Sequence, residues 1–345
     1  LVNLTIFILL IILTFSLVLK DQDVSQIFSV AAKVKKQYIL FAVLAMSIYI
    51  LGEAVNITRI LKELGEKSKL ISNIRYTLIG FFFSAITPAA SGGQPMEIYY
   101  MHKDDISVAN STLALLMQLC SLQIVTITVG TISAVIHFEV LKSGLIYLLI
   151  LGIILNSSAL MLLIIAIFSK KLSEGLIKFA VKLLKFFRIP NVEKKQEKLE
   201  KELESYQTSA KYIKEHKILM LKTVLTTVVQ MIAYYSVPYW IYLAFGLTEY
   251  NIFEILTLQA VLYATVSGIP SPGAVGVSEG GFLGIFKNVF PETIISSAML
   301  LTRGANFYLF IIISAIIVMI STFREKRIEK KQMQETEVLT EKSEK

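Results

Sequence analysis

Three ionisable residues stand out because they lie within or beside apolar stretches of the sequence. Glu97 and Glu279 each follow a glycine-rich turn, and Arg303 lies about ten residues into the last apolar segment. Charged side chains at membrane depth are costly, so each one raises a functional hypothesis. A guanidinium there needs a carboxylate or a ligand phosphate as its partner. These residues predict an anion-binding site, a buried ion pair, or both.

The turns before the two glutamates offer further groups for binding. The first turn reads PAASGGQPME over 88–97, and the second reads PSPGAVGVSE over 270–279. Bare backbone N–H groups in such turns bind anions, especially beside the N-terminus of a half-helix. The candidate binding site therefore also includes the turn residues Pro88, Gly92, Gly93, Gln94, Pro270, Pro272, Gly273 and Gly276.

Metal, nucleotide and nucleic-acid chemistry are not expected. Cys120 is the sole cysteine and the three histidines are scattered, so neither a multi-cysteine metal site nor a His-Glu-x-x-His motif is present. The sequence contains no GxxxxGKS/T loop for nucleotide phosphates. Basic residues are not interleaved with aromatic residues on a soluble face, which argues against direct nucleic-acid binding. We predict no catalytic residue, no metal and no cofactor.

The composition indicates the elements that must position these residues. Of the 345 residues, 54% are apolar and 17% are charged, whereas soluble domains have about 45–50% and about 25%. A membrane-spanning helix needs about 20 apolar residues. Six segments approach that length, at 1–19, 38–58, 107–136, 144–168, 218–245 and 293–320. The sequence predicts an all-α integral membrane protein, with a polytopic helical bundle over 1–323.

Two further apolar stretches, 76–97 and 252–290, contain proline and glycine in their middle. Irregular backbone is tolerated at membrane depth only where protein or a water-filled cavity satisfies its polar groups. We interpret both stretches as re-entrant hairpins that face the interior of the protein.

The order of elements repeats along the chain. Two spans, a broken hairpin and one span occur in about 1–137 and again in about 144–320, with the two breaks aligned at an offset of about 183 residues. Three crossings per unit make the units inverted, an arrangement that places transporter sites between paired broken helices. We predict two inverted repeats around a central polar cavity, where Pro88 approaches Pro270. The alternative is that the breaks only help the helices to pack.

Basic loops predict the orientation. The connector 170–217 holds 13 Lys/Arg against 7 Asp/Glu, and we place it in the cytoplasm together with the loop 59–75 and both termini. Within the connector, 170–188 predicts a basic amphipathic helix on the membrane surface. The stretch 193–217 predicts a helix that projects into water or folds back as a short hairpin. The tail 324–345 is charged and predicted to be disordered.

Two stretches resemble the signature regions of a known family. PAASGGQPMEIYYMHK over 88–103, and GIPSPGAVGVSEG over 268–280 followed by LLTRGANFY over 300–308, are similar to the lysylphosphatidylglycerol synthase transmembrane-domain family. The resemblance extends over about 1–325. Gln94 stands where that family usually has an acidic residue, and Tyr99 or Tyr100 where it has a basic one. Glu97 is the substitute for the acid.

The resemblance implies a flippase-like protein of the cytoplasmic membrane. An anionic or lysyl-modified phospholipid, of the phosphatidylglycerol or lysylphosphatidylglycerol type, would be the ligand. Arg303 would meet the lipid phosphate, while Glu97 and Glu279 would receive a cationic headgroup or balance Arg303.

Two other functions stay open. Full-length synthases of the family add a cytosolic domain that transfers lysine from lysyl-tRNA to phosphatidylglycerol, and the 22 residues after Phe323 are too few for such a domain. The chain could be a phosphatidylglycerol lysyltransferase, or the membrane part of one whose soluble aminoacyltransferase is a separate partner. It could also be a lipid-binding scaffold that acts through the connector without transport.

Overall fold

The molecule is a bundle of α-helices. The computed structural model describes residues 29–30, 32–87, 90–136, 145–171, 174–175, 178, 182, 192–269 and 271–323. The helices in this part of the chain are α1 (Lys36–Glu63), α2 (Leu70–Ile86), α3 (Gly93–Lys103), α4 (Val108–Ile136), α5 (Leu145–Phe168), α6 (Val192–Glu215), α7 (Lys217–Ala244), α8 (Ile252–Val266), α9 (Val277–Ile285) and α10 (Glu292–Phe323). No strand occurs among these residues.

Five of these helices, α1, α4, α5, α7 and α10, are long and apolar enough to cross a membrane. They confirm the spans predicted from 38 onward, whereas the span predicted at 1–19 lies outside the described residues. The 28 residues of α1 extend for about 42 Å, more than the about 30 Å of a hydrocarbon core.

Helix α5 shows the face that such a protein turns to lipid. Its apolar side chains at Tyr147, Ile154, Met161 and Leu162 are all more than half exposed. A soluble domain would bury residues of this kind, because leaving them in water forfeits about 1.5–3 kcal/mol each. In a bilayer they lie in hydrocarbon, and the chain is a multi-pass membrane protein.

A buried polar seam joins α1, α4 and α7 inside the bundle. Asn56 Nδ2 donates to Gln118 Oε1 at 2.9 Å and to Thr227 Oγ1 at 3.0 Å. Gln118 in turn donates to Gln230 Oε1 at 3.3 Å. Interhelical hydrogen bonds of this kind hold membrane helices together where lipid supplies little hydrophobic driving force.

Both predicted broken segments are interrupted helices. The first consists of α2 and α3, which are separated between Ile86 and Gly93. The second consists of α8 and α9, which are separated by a ten-residue break with a single 3₁₀ turn at Pro272–Ala274. Helices α2 and α8 have 17 and 15 residues, fewer than the about 20 that a span requires. The inverted relation of the two units and their re-entrant path stay predictions.

Two expectations about the regions outside the spans were wrong. Helix α1 continues to Glu63 and α2 starts at Leu70, so the basic loop predicted over 59–75 is only 64–69. The stretch 193–217 neither projects into water nor forms a hairpin, since helix α6 packs against α4, α5 and α7. Most of the amphipathic helix predicted at 170–188, and the whole tail 324–345, lie outside the described residues.

Helix α6 docks through one apolar face and several hydrogen bonds. Tyr206, Ala210 and Ile213, spaced at one helical turn, are buried in a shared cluster with α4. The Tyr206 hydroxyl donates to the Ala166 carbonyl at 2.8 Å, and the Ser209 hydroxyl donates to Asn110 Oδ1 at 2.8 Å. The charged residues of this helix, among them Lys201, Glu204, Lys211 and Lys214, are exposed.

Candidate functional site

Arg303 and Glu279 form a buried ion pair. Arg303 Nε donates to Glu279 Oε1 at 2.7 Å, and the two residues are 7% and 0% exposed. They come from α10 and α9, so the pair ties the helix after the second break to the last membrane span. One of the two partners predicted for Arg303 is therefore present in the protein itself.

The carboxylate of Glu279 is fully engaged. Its Oε2 accepts from the backbone N–H of Gly276 at 2.7 Å, and its Oε1 also accepts from the Tyr308 hydroxyl at 3.2 Å. Glu279 is the third residue of α9, where a carboxylate caps free N–H groups and interacts favourably with the helix dipole. This glutamate therefore holds the second break in shape as well as the guanidinium.

The guanidinium of Arg303 retains donors beyond the ion pair. One Nη2 hydrogen donates to the Gly273 carbonyl at 3.1 Å, and Cζ lies 3.9 Å from the centroid of the Phe307 ring. A π-helical turn at Gly304–Tyr308 brings Phe307 and Tyr308 around the arginine, and such turns occur frequently at functional sites.

Gly273 and Gly276 are required by the shape of the second break. Their φ angles are +58° and +87°, values that L side chains rarely adopt. A Cβ on Gly273 would also lie 2.2 Å from Cζ of Phe307. The glycine thus lets the backbone approach the ring that stacks on Arg303. Pro272 is buried and begins the 3₁₀ turn beside it.

Glu97 lies in a different environment from Glu279. It is 3% exposed, and its Oε2 accepts no hydrogen bond within the described part of the chain. Gly80 of α2 makes room for it, since a Cβ there would lie 2.0 Å from Glu97 Oε1. The sequence allowed either glutamate to balance the charge of Arg303, and in the structure Glu279 is the one that pairs with it.

Two adjoining cavities occupy the space between the breaks. The smaller, of about 280 Å³, is lined by Arg303, Gly273, Ser278 and Asn306 among others. The larger, of about 670 Å³, is lined by Glu97, Gln94 and Glu53 among others. The residues common to both linings are Tyr49, Phe81, Ser84, Ala90, Tyr263 and Ser267. Because Ala90 belongs to the first break and Ser267 to the second, both breaks contribute to this shared wall.

The remaining turn residues of the first break have packing roles. The N–H of Gly92 donates to Thr87 Oγ1 at 2.9 Å. A Cβ on Gly93 would lie 2.0 Å from Ser84 Oγ, so this glycine lets α3 approach α2. Of these turn residues, Gln94 lines the larger cavity.

Pro88 and Pro270 lie outside the described residues, and so does their predicted approach. The breaks nevertheless meet through their neighbours. Ala85 and Ile86 of α2 share a buried cluster with Val275 of the second break and Phe307 of α10.

Five residues that line the larger cavity were not predicted from the sequence: Tyr49, Glu53, Thr77, Asn156 and Tyr263. Tyr49 and Glu53 are four residues apart on α1, which places them on one helix face. The sequence signal for this wall was the presence of Tyr49 and Glu53, two polar residues on one face of the otherwise apolar helix α1.

Comparison with known proteins agrees with this architecture. No curated protein matches the chain. Among protein families, the lysylphosphatidylglycerol synthase TM region matches residues 1–314. That match covers both breaks, the Arg303–Glu279 pair, and the described spans up to residue 314 within α10. The chain belongs to the family of the lysylphosphatidylglycerol synthase transmembrane region.

Proposed function

We propose that this protein binds a phospholipid headgroup in the two adjoining cavities and moves the lipid across the cytoplasmic membrane. The observation that carries the proposal is the buried guanidinium of Arg303, which lines the smaller cavity between the two breaks. Glu279 holds this guanidinium in place through Nε. Arginine binds phosphate well because its donors match the spacing of two oxygens.

The larger cavity supports the choice of headgroup. Its volume of about 670 Å³ lies within the about 300–1,000 Å³ of small-molecule sites. It holds the carboxylate of Glu97 with an unpaired oxygen. A headgroup with a phosphate and an amine would place its anionic part beside Arg303 and its cationic part beside Glu97. Lysylphosphatidylglycerol, which the family name contains, has both parts.

The lining of the cavities also suits a lipid headgroup that passes through and is not held tightly. The wall common to both cavities combines tyrosine, serine and phenylalanine side chains, and neither lining has a lysine among its described residues. The sequence has no nucleotide-binding loop, so transport would run down a lipid gradient or use an ion gradient.

A liposome assay with a panel of headgroup-labelled lipids tests this function. The purified chain should accelerate the flipping of phosphatidylglycerol and lysylphosphatidylglycerol, and should leave a phosphate-free diacylglycerol lipid at its uncatalysed rate. Arg303→Gln should remove most of the acceleration, and the exposed Lys287→Gln is the matched control for loss of one basic charge. Equal acceleration of every lipid, or full activity of Arg303→Gln, would contradict the proposal.

The family name favours a second candidate, the membrane subunit of a phosphatidylglycerol lysyltransferase. In that case a soluble aminoacyltransferase would be a separate chain that docks on the cytoplasmic side. Membranes containing this protein should then form lysylphosphatidylglycerol from lysyl-tRNA only after a soluble fraction of the same cells is added. Product formation that is independent of this protein would exclude the candidate.

A further inference from the structure

The described lining of the larger cavity contains two carboxylates and no basic side chain. Glu53 of α1 and Glu97 of α3 both line it, so two carboxylates face the same enclosed space. The nearby guanidinium of Arg303 is already paired with Glu279. Two ionised carboxylates without a counter-ion are costly inside a membrane protein.

Unpartnered oxygens in the same cavity point to an occupant. Thr77 of α2 is 2% exposed and lines the cavity, and its hydroxyl has no partner among the described residues. Glu97 Oε2 is unpartnered as well. Buried polar atoms are almost always hydrogen-bonded in native proteins, so such orphans call for an explanation.

The other groups that face this pair do not supply a positive charge. Tyr49 from α1 and Tyr263 from α8 are the remaining titratable residues of the described lining. The lining residues of α2, α4 and α5 are neutral, and Arg303 and Glu279 belong to the adjoining ion pair. A bound proton or cation is therefore the means of reducing the repulsion between Glu53 and Glu97.

We propose that Glu53 and Glu97 hold one proton between them, and that this proton is released and rebound as lipid crosses the membrane. A pair of neighbouring carboxylates that shares one proton behaves as a single titrating unit. A metal ion fits less well, because hard cations take six or more oxygen ligands and no group of three or more His, Cys, Asp or Glu that could hold a metal occurs among the described residues. The linkage to transport rests on the function proposed above, whereas the proton site itself does not.

Infrared spectroscopy of the purified full chain tests the proton site without any transport. At neutral pH the wild type should show the carbonyl band of a protonated carboxylic acid. The double variant Glu53→Gln with Glu97→Gln should lose the band, and each single variant should shift its titration to lower pH. Glu249→Gln, which removes an exposed carboxylate, should leave the band unchanged. A wild type without the band, or a double variant that keeps it, would overturn the assignment.

The linkage is tested in liposomes with an imposed pH gradient or an imposed sodium gradient. The pH gradient should change the wild-type flipping rate about tenfold, and the sodium gradient should not. Gly80→Ala displaces the Glu97 carboxylate without removing its charge, because the new Cβ would lie 2.0 Å from Oε1. This variant should lose the pH dependence and keep the headgroup preference. A response to sodium alone would overturn the linkage.

The two experiments fail separately. An intact band in a protein that moves no lipid would refute the proposed function and support the proton site. Lipid movement by a wild type without the band would support the function and refute the proton site.

Discussion

The two breaks of this molecule place a buried glutamate in opposite situations. After the second break, Glu279 binds Arg303, Tyr308 and the backbone of Gly276. After the first break, Glu97 is equally buried, yet its Oε2 has no described partner. Similar sequence patterns thus produce a rigid ion pair in one half and an unpaired acid in the other.

The difference follows from where each glutamate stands in its helix. Glu279 is the third residue of α9, so its carboxylate reaches back to the N–H of Gly276. Glu97 is the fifth residue of α3, two positions beyond the place from which a carboxylate makes that contact. The third place of α3 is held by Pro95, which has no carboxylate. Glu97, the acid after the first break, therefore lines the larger cavity and does not cap its own helix.

The largest expected effect is a difference in stability between variants of the two glutamates. Glu279→Gln should lower the free energy of unfolding by about 3–5 kcal/mol, because it strands the buried charge of Arg303. Glu97→Gln should change stability little or raise it, because it removes a carboxylate whose Oε2 has no partner among the described residues. Thermal unfolding of both variants in detergent measures the contrast. Equal losses for the two variants would mean that Glu97 is paired as tightly as Glu279.

A smaller effect is expected from the glycines of the second break. Gly273→Ala should cost at least about 1–3 kcal/mol, since an alanine is strained at positive φ and its Cβ would lie 2.2 Å from Phe307 Cζ. The control is Gly280→Ala in α9, where nothing lies within 4 Å of the new Cβ; a gain of up to about 1 kcal/mol is expected there. Unfolding of both variants under the same conditions gives the comparison. Indifference to Gly273→Ala would refute the close approach of the break to Phe307.

The sequence predicted the features that depend on local pattern. Five apolar spans and both interruptions were correct because hydrophobic length and Pro/Gly content determine them directly. For Arg303 the sequence left two partners open, a carboxylate such as Glu279 or a ligand phosphate, and the structure shows the carboxylate. Glu53 and Thr77 were not identified, because only tertiary packing brings α1 and α2 to a common cavity. The docking of α6 was missed because its buried face is short and its charges dominate the composition.

The smallest expected effect concerns the side of the membrane to which each break opens. The substitutions that test it should leave stability unchanged. If the first break opens to the cytoplasm and the second to the outside, Lys142→Cys and Glu249→Cys in a Cys120→Ser background should react with an impermeant thiol reagent in intact cells. Ser205→Cys in α6 should react only after lysis. Labelling of position 205 in intact cells would invert the orientation of both breaks.

Replacement of Arg303 by lysine tests the central claim, that the guanidinium of Arg303 binds a lipid phosphate. Lysine can still neutralise Glu279, but it offers a point charge in place of a planar two-donor edge. We predict that Arg303→Lys keeps a melting temperature near that of the wild type and loses about tenfold or more of the flipping rate for phosphate-bearing lipids in liposomes. The control is Arg303→Met with Glu279→Gln, which removes both charges and should stay folded without transport. Full-rate flipping by this stable double variant would contradict the account.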